Sequence, residues 1–209
     1  MGSIYSILGV GFVLGIKHAI EPDHIVAVST IAGRSKSMWK SSVAGVFWGI
    51  GHTATLLVVG MLLIFFKTQM TESLVLSLEF VVGIMLVYLG TTTLYSKNKQ
   101  IDYSYGTVQK KSMAIGFVHG LAGSAAMVLL TLSTVESMLQ GLWYILIFGL
   151  GTVAGMLMFS TFLSMPFLLA KRKRLHPNLI GATGVISILF GLYYMFNLGF
   201  TEGLFDYWF

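Results

Sequence analysis

The chain contains no cysteine. That one absence removes disulfides, thiolate metal sites and thiol redox relays, and with them the membrane thiol–disulfide carriers of similar size. Charge is scarce as well. Asp, Glu, Lys and Arg make up 10% of the 209 residues, where a soluble domain carries roughly 25%. Phosphate-loop and serine-nucleophile motifs are missing, and nothing points to ATP hydrolysis on this chain. The Met1 end has no basic n-region, and no A-x-A-like cleavage site precedes Lys17. The first apolar run is therefore expected to be retained.

Apolar sequence fills the space. Hydrophobic residues make up 56% of the chain, and the mean hydropathy is +0.82. An integral membrane protein is expected, with lipid as its solvent. A spanning helix needs about 20 apolar residues. Six runs reach that length, at 4–32, 42–66, 74–95, 112–134, 142–169 and 179–199. The loops between them sort by charge. Arg34, Lys36 and Lys40 fall in the first loop, Lys97, Lys99, Lys110 and Lys111 in the third, and Lys171, Arg172, Lys173 and Arg174 in the fifth. Lys67 alone sits in an even-numbered loop, and Glu72, Glu79, Glu136, Glu202 and Asp206 fall on that opposite side. The positive-inside rule then puts loops one, three and five in the cytoplasm and both termini outside. The net charge of +5 is thus a topology signal, and no nucleic-acid partner is expected. The tail Phe205-Asp-Tyr-Trp-Phe209 reads as an aromatic anchor at the membrane interface.

The sequence also repeats. Gly15-Ile-Lys-His18-Ala matches Gly116-Phe-Val-His119-Gly at an offset of 101, and Gly49-Ile-Gly51 matches Gly149-Leu-Gly151 at an offset of 100. Gly83 and Gly90 match Gly184 and Gly191. Residues 1–96 and 112–209 would each hold three spans, joined by a cytoplasmic linker at 97–111, within one transmembrane domain. An odd number of spans forces the second half to enter the membrane upside down. That is the inverted-repeat plan of secondary transporters, in which broken helices line a site near the midplane. The expected fold is all-α, with six transmembrane helices as two three-helix inverted repeats.

Polar residues stand out at depth. The first run contains His18-Ala-Ile-Glu-Pro-Asp-His24. At about 29 residues and 1.5 Å each, the run is roughly 44 Å long, more than a straight helix across a ~30 Å core requires. Pro22 lacks an N–H, so a break near it is expected, leaving the His18 carbonyl free. On an unbroken helix His18 and Asp23 would point about 140° apart, and His18 and His24 about 120° apart. A break gathers them. His52, in Phe47-Trp-Gly-Ile-Gly-His52-Thr-Ala-Thr55, lies ~15 Å in from the other end of the second run, so both groups reach the middle of the membrane. His119 is the repeat mate of His18 and reads first as a structural, hydrogen-bonded residue. Charged groups in lipid are costly unless paired, hydrated or metal-bound. Lys17 and Glu21, four residues apart, would suit a plain ion pair. His18, Asp23, His24 and His52 together point to a metal or proton site. Imidazole with carboxylate suits Ni²⁺, Co²⁺ or Zn²⁺ better than Mg²⁺ or Ca²⁺. Neutral imidazole is required, so binding weakens as the histidines protonate. His176, beside Pro177, reads as a solvated loop residue, and the twelve methionines as packing.

The H-x4-D-H segment formed by His18, Asp23 and His24, followed by the aromatic stretch and Gly51-His52-Thr53, resembles the nickel/cobalt transporter (NiCoT) family. The short six-span form, with His119-Gly-Leu-Ala-Gly-Ser-Ala-Ala126, is similar to its UreH-type, urease-accessory branch. The resemblance covers essentially the whole chain. It implies Ni²⁺, and next Co²⁺, as the transported substrate, with no organic cofactor. It also implies a multi-pass protein of a prokaryotic cytoplasmic membrane and an indirect link to urease or another nickel enzyme. The metal residues would be His18, Asp23, His24 and His52, with Glu21, Thr53, Thr55, His119, Ser124 and Ser160 supporting them or lining the ion's path. Longer members carry acidic motifs in the second half, L-G-x-D-T-A-T-E and G-M-x3-D-T-x-D. The comparable stretches here, Gly120–Ala126 and Gly155–Thr161, lack the carboxylates.

Three other classes fit parts of the pattern. An anion exporter of the sulfite or organosulfonate type would need basic residues at the site, where only Lys17 qualifies. An intramembrane metalloenzyme would need a general base, for which Glu21 is available. An assembly role would leave His24 dispensable.

Overall fold

A computed structural model describes residues 4–34, 37–66, 70–96, 105–134, 137–172 and 176–209; for residues 4, 5, 34, 105, 124–134, 171 and 172 it describes the backbone only. Among the described residues there is no strand. The helices are α1 (Ile4–His18), α2 (Pro22–Arg34), α3 (Met38–Phe66), α4 (Glu72–Ser96), α5 (Tyr105–Thr134), α6 (Met138–Arg172), α7 (His176–Phe196), a π-helical turn (Asn197–Thr201) and α8 (Leu204–Trp208).

Met38–Phe66, Glu72–Ser96, Met138–Ala170 and His176–Thr201 are each long and apolar enough to cross a membrane. The protein is a membrane protein. Lipid offers no hydrogen bonds, so a spanning segment must satisfy its backbone internally, and the α-helix does this. Side-chain hydroxyls follow the same rule: Thr93 donates to the Leu89 carbonyl at 2.6 Å, and Ser77 to that of Ser73 at 2.6 Å. Val58, Leu62, Phe162, Leu169 and Leu189 face outward, a surface that suits hydrocarbon rather than water. The first expected span is divided between α1 and α2. The fourth lies within α5.

Of the expected linker at 97–111, residues 97–104 lie outside the described residues; α5 begins at Tyr105, so Lys110 and Lys111 are helical. His176, expected in a loop, is the first residue of α7.

The packing pairs helices from the two halves of the sequence. α1 packs chiefly on α6, α3 on α5 and α6, and α4 on α7, while α2 lies among α4, α6 and α7. Glycines make the closest approaches. A methyl group at Gly15 would strike the carbonyl oxygen of Phe148, and one at Gly116 would strike that of Trp48. Gly151 and Gly51 stand in the same relation to the carbonyls of Phe12 and Met113. Both of these contacts in α1–α6 thus have counterparts in α5–α3, about 100 residues away. Between α4 and α7, a methyl at Gly90 would lie 2.6 Å from the Gly184 oxygen. Small residues let helix backbones touch, which supplies dispersion contacts where lipid removes the hydrophobic drive. The largest buried cluster joins Ala19, Ala27, Trp48, Val82, Leu86 and Met156.

The aromatic tail docks on the start of α4. The rings of Phe205 and Trp208 pack on Phe80. Tyr207 Oη donates to Glu72 at 3.0 Å, a bond to a carboxylate that pushes the phenol's pKa up.

Candidate metal centre

The turn between α1 and α2 places the first group of polar residues. α1 ends at His18, residues 19–21 turn, and α2 starts at Pro22. Proline suits a first helical position, where its missing N–H costs nothing and its φ is already helical. The turn is hydrogen-bonded. Ile20 N–H donates to the Lys17 carbonyl and Glu21 N–H to the His18 carbonyl, both at 3.1 Å. The His18 carbonyl is therefore not left free, contrary to the expectation from Pro22 alone. The short turn supplies a donor three residues on in place of the one that proline lacks. On a straight helix His18 and His24 would sit about 9 Å apart along the axis and on different faces. Here their ring centroids are 4.7 Å apart.

α3 and α5 bring two more rings. His18 Nε2 lies 3.1 Å from His52 Nε2. The His24 and His119 ring centroids are 4.1 Å apart. Asp23 links two of the rings: His119 Nε2 lies 2.7 Å from its Oδ2, and His24 Nδ1 lies 3.2 Å from its Oδ1. The backbone N–H of His24 also donates to Oδ1, at 2.9 Å. His18 Nδ1 pairs with Glu21 Oε2 at 2.9 Å. Two donor sets result, His18–His24–His52 and Asp23–His24–His119, each with its donor atoms within 4.8 Å of one another.

Hydrogen bonding sets which nitrogens carry lone pairs. A carboxylate only accepts, so the nitrogen facing it carries the proton. His18 and His24 then hold protons on Nδ1 and present Nε2 lone pairs. This is the carboxylate–histidine arrangement that orients metal-ligating imidazoles. His24, His52 and His119 are all buried. Among the described residues, His24 Nε2, His52 Nδ1 and His119 Nδ1 have no hydrogen-bond partner. A buried ring nitrogen without a partner costs on the order of 1–3 kcal/mol. Three in one cluster mean that the packing alone does not satisfy it.

The remaining expected residues separate. Glu21 is exposed and bound to His18. That replaces the ion pair expected between Lys17 and Glu21, because the turn carries Glu21 to the His18 ring. Thr53 donates to the Gly49 carbonyl at 2.7 Å, and Thr55 to the carbonyls of Gly51 and Phe117 at 3.1 and 3.0 Å. The Ser160 hydroxyl donates to the Leu157 carbonyl at 3.2 Å. These three hydroxyls are occupied by backbone carbonyls, those of Thr53 and Ser160 within their own helices. The side chain of Ser124 lies outside the described residues.

A cavity of about 270 Å³ opens onto the cluster, lined by Lys17, His18, Glu21, Asp23, His119 and Gly123 among others. Glu79 and Tyr194 also line it, with Tyr194 Oη donating to Glu79 Oε2 at 3.2 Å. The charge pattern had grouped Glu79 with the outer acidic residues, yet it lies two turns inside α4. A lone carboxylate within an apolar run was the signal that could have found it. Trp48 closes the far side of the cluster, its ring 6.2 Å from that of His24 and 5.7 Å from that of His119.

No family model and no solved structure matches the chain. It is 54% identical to the urease accessory protein UreH of Bacillus sp. (strain TB-90), over 98% of this chain and 97% of that one. It is 27% identical to a candidate nickel/cobalt efflux system of Methanocaldococcus jannaschii, over 87% of this chain and 88% of that one. It is also 27% identical to the chloroplast protein FOR GROWTH AND FERTILITY 1 of Arabidopsis thaliana, over 87% of this chain and 56% of that one. At 54% identity along nearly its whole length, with the paired histidine motifs converging around Asp23, the chain belongs to the UreH family, the branch of the nickel/cobalt transporters that its motifs resemble.

Proposed function

We propose that the protein carries a divalent transition metal ion, Ni²⁺ first and Co²⁺ second, across the cytoplasmic membrane. The observation that carries this reading is the pair of donor sets sharing His24, His18–His24–His52 and Asp23–His24–His119. Their chemistry is imidazole and carboxylate without thiolate, which suits late first-row divalent ions. His18, Asp23, His24 and His52 are the metal residues, and His119 joins them through Asp23. Pro22 marks the break that gathers them. The relatives named a urease accessory protein and a candidate nickel/cobalt efflux system support nickel or cobalt as the cargo. Urease, or another nickel enzyme, is the end user.

Transport proceeds by alternating access between two three-helix repeats, six spans in all, with both termini outside. The matched glycine contacts of α1–α6 and α5–α3 support the repeat, and the basic loops support the orientation. The ion sheds water, binds at the cluster, and the halves rock to change which side it faces. Inward movement draws on the membrane potential, worth about 2.3 kcal/mol per charge per 100 mV.

Titrating Ni²⁺, Co²⁺, Zn²⁺ and Mg²⁺ into purified wild type and His24→Ala in detergent tests the site, and uptake into liposomes tests transport. Ni²⁺ or Co²⁺ binding that His24→Ala abolishes in a folded protein, with uptake by the wild type, is the expected result. Equal binding by both proteins, or none by either, would sink the reading and favour a buried structural network.

A further inference from the structure

The cavity has two ends of different chemistry. At its buried part is the His119 ring, 2% exposed, whose Nδ1 lacks a partner among the described residues. Toward the end of the bundle where α4 begins and α7 stops, its wall carries Glu79 and Tyr194. Glu79 lies about 10 Å along α4 from the helix start, and Tyr194 two residues before the end of α7. Val82, one turn deeper on the same face of α4, also lines the wall. Glu79 is thus the carboxylate of α4 that lines the cavity. Lys17 is the lysine on the wall, against the three carboxyl groups of Glu21, Asp23 and Glu79. The volume, about 270 Å³, is several times the ~30 Å³ of one water. The cavity has room for a cation with several waters.

A carboxylate placed in a spanning helix is costly without a cation. Among the described residues Glu79 has no basic partner in hydrogen-bond range; its partner is the Tyr194 hydroxyl. That bond fixes the carboxylate without neutralising it. We infer that Glu79, held by Tyr194, is a carboxylate that captures a hydrated divalent cation in this cavity, and that it passes the ion to Asp23 and His119. The inference rests on the transport reading above. Its ligand is the hydrated cation itself, and its effect is on capture: a charged wall raises local cation concentration and on-rate by roughly 10–1,000-fold.

Initial rates of Ni²⁺ uptake into liposomes, against Ni²⁺ concentration at low and high ionic strength, test it for wild type, Glu79→Gln, Glu79→Asp and Tyr194→Phe. Glu79→Gln should raise KM by about ten-fold or more, keep kcat within about two-fold, and flatten the dependence of KM on salt. Glu79→Asp, which keeps the charge, should restore most of the capture. Tyr194→Phe should raise KM much less than Glu79→Gln does. A purely structural bond between α4 and α7 would make Tyr194→Phe cost at least as much as Glu79→Gln, whose amide oxygen still accepts from Tyr194, and that result would overturn the inference. Wild-type KM in Glu79→Gln would overturn it as well, while leaving the transport reading intact. Absence of uptake by the wild type would overturn both.

Discussion

His18 Nε2 and His52 Nε2 face each other at 3.1 Å, one at the end of α1 and the other in the middle of α3. Without an ion, one ring must donate its proton to the other. With one, the spacing already fits. At a metal–nitrogen distance of about 2.05 Å, two cis ligands stand ~2.9 Å apart at a right angle and ~3.3 Å apart in a tetrahedron. His52→Ala should therefore remove a ligand without disturbing the turn that holds His18. We expect Ni²⁺ affinity to fall by more than the roughly 10–100-fold that losing a supporting partner costs. Calorimetric titration checks this, with circular dichroism as the fold control; wild-type affinity in His52→Ala would remove the pair from the site.

Asp23 holds two rings at once, with Oδ2 2.7 Å from His119 and Oδ1 3.2 Å from His24. An asparagine in its place would present an amide N–H₂ to one of two nitrogens that both need an acceptor. One ring must lose its bond or flip. Asp23→Asn should thus weaken Ni²⁺ binding by at least about ten-fold while α2 still forms. Glu21→Gln should cost less, because Glu21 is exposed and supports His18 alone. The ratio of the two affinities is the measurement, and a larger effect at Glu21 would reverse the assignment.

The fold was legible where it depends on lipid. Length and hydropathy located α3, α4, α6 and α7, because a spanning helix must be apolar on every face. The glycine pairs at an offset of about 100 were visible as letters, and the contacts at Gly15 and Gly116 show what they do. The candidate site was legible where polarity stands out against an apolar background, as at His18, Asp23, His24 and His52, which the fold brings together. It was not legible where a residue's role depends on a neighbour distant in sequence. Glu79 gains its meaning from Tyr194, 115 residues away. The motif threonines looked like site residues because they follow His52, yet their hydroxyls donate to backbone carbonyls, Gly49 for Thr53 and Phe117 for Thr55. Spacing also could not foresee that Glu21 would turn to His18 rather than to Lys17.

Gly123 borders the cluster on α5. A methyl placed there would lie 3.5 Å from His52 Cε1 and 3.6 Å from His18 Nε2. Those are ordinary contacts, so the protein should accept Gly123→Ala without unfolding. A branched side chain at that position would extend over the two nitrogens. Gly123→Leu should leave the thermal midpoint close to that of Gly123→Ala yet block Ni²⁺ binding and uptake. Normal uptake by a folded Gly123→Leu would mean that the ion approaches His18 and His52 from another direction.

Gly15 and Gly116 supply a test of the repeat itself. Each brings a helix of one half against a carbonyl of the other, Phe148 for Gly15 and Trp48 for Gly116. Neither carbonyl can retreat without moving its helix. Gly15→Ala and Gly116→Ala should each destabilise by about 1–3 kcal/mol, the usual cost of forcing a methyl into a packed contact. Gly9 is the control: it lies earlier in α1 with no atom within 4 Å of an added methyl. Gly9→Ala should be neutral or slightly stabilising, since alanine is the better helix former by about 1 kcal/mol. Thermal unfolding in detergent, followed by circular dichroism, ranks the three. Matching losses at 15 and 116 would mean that the two halves share one packing geometry. A loss at only one of them would mean that the glycine repeat in the sequence does not carry equal weight in the fold.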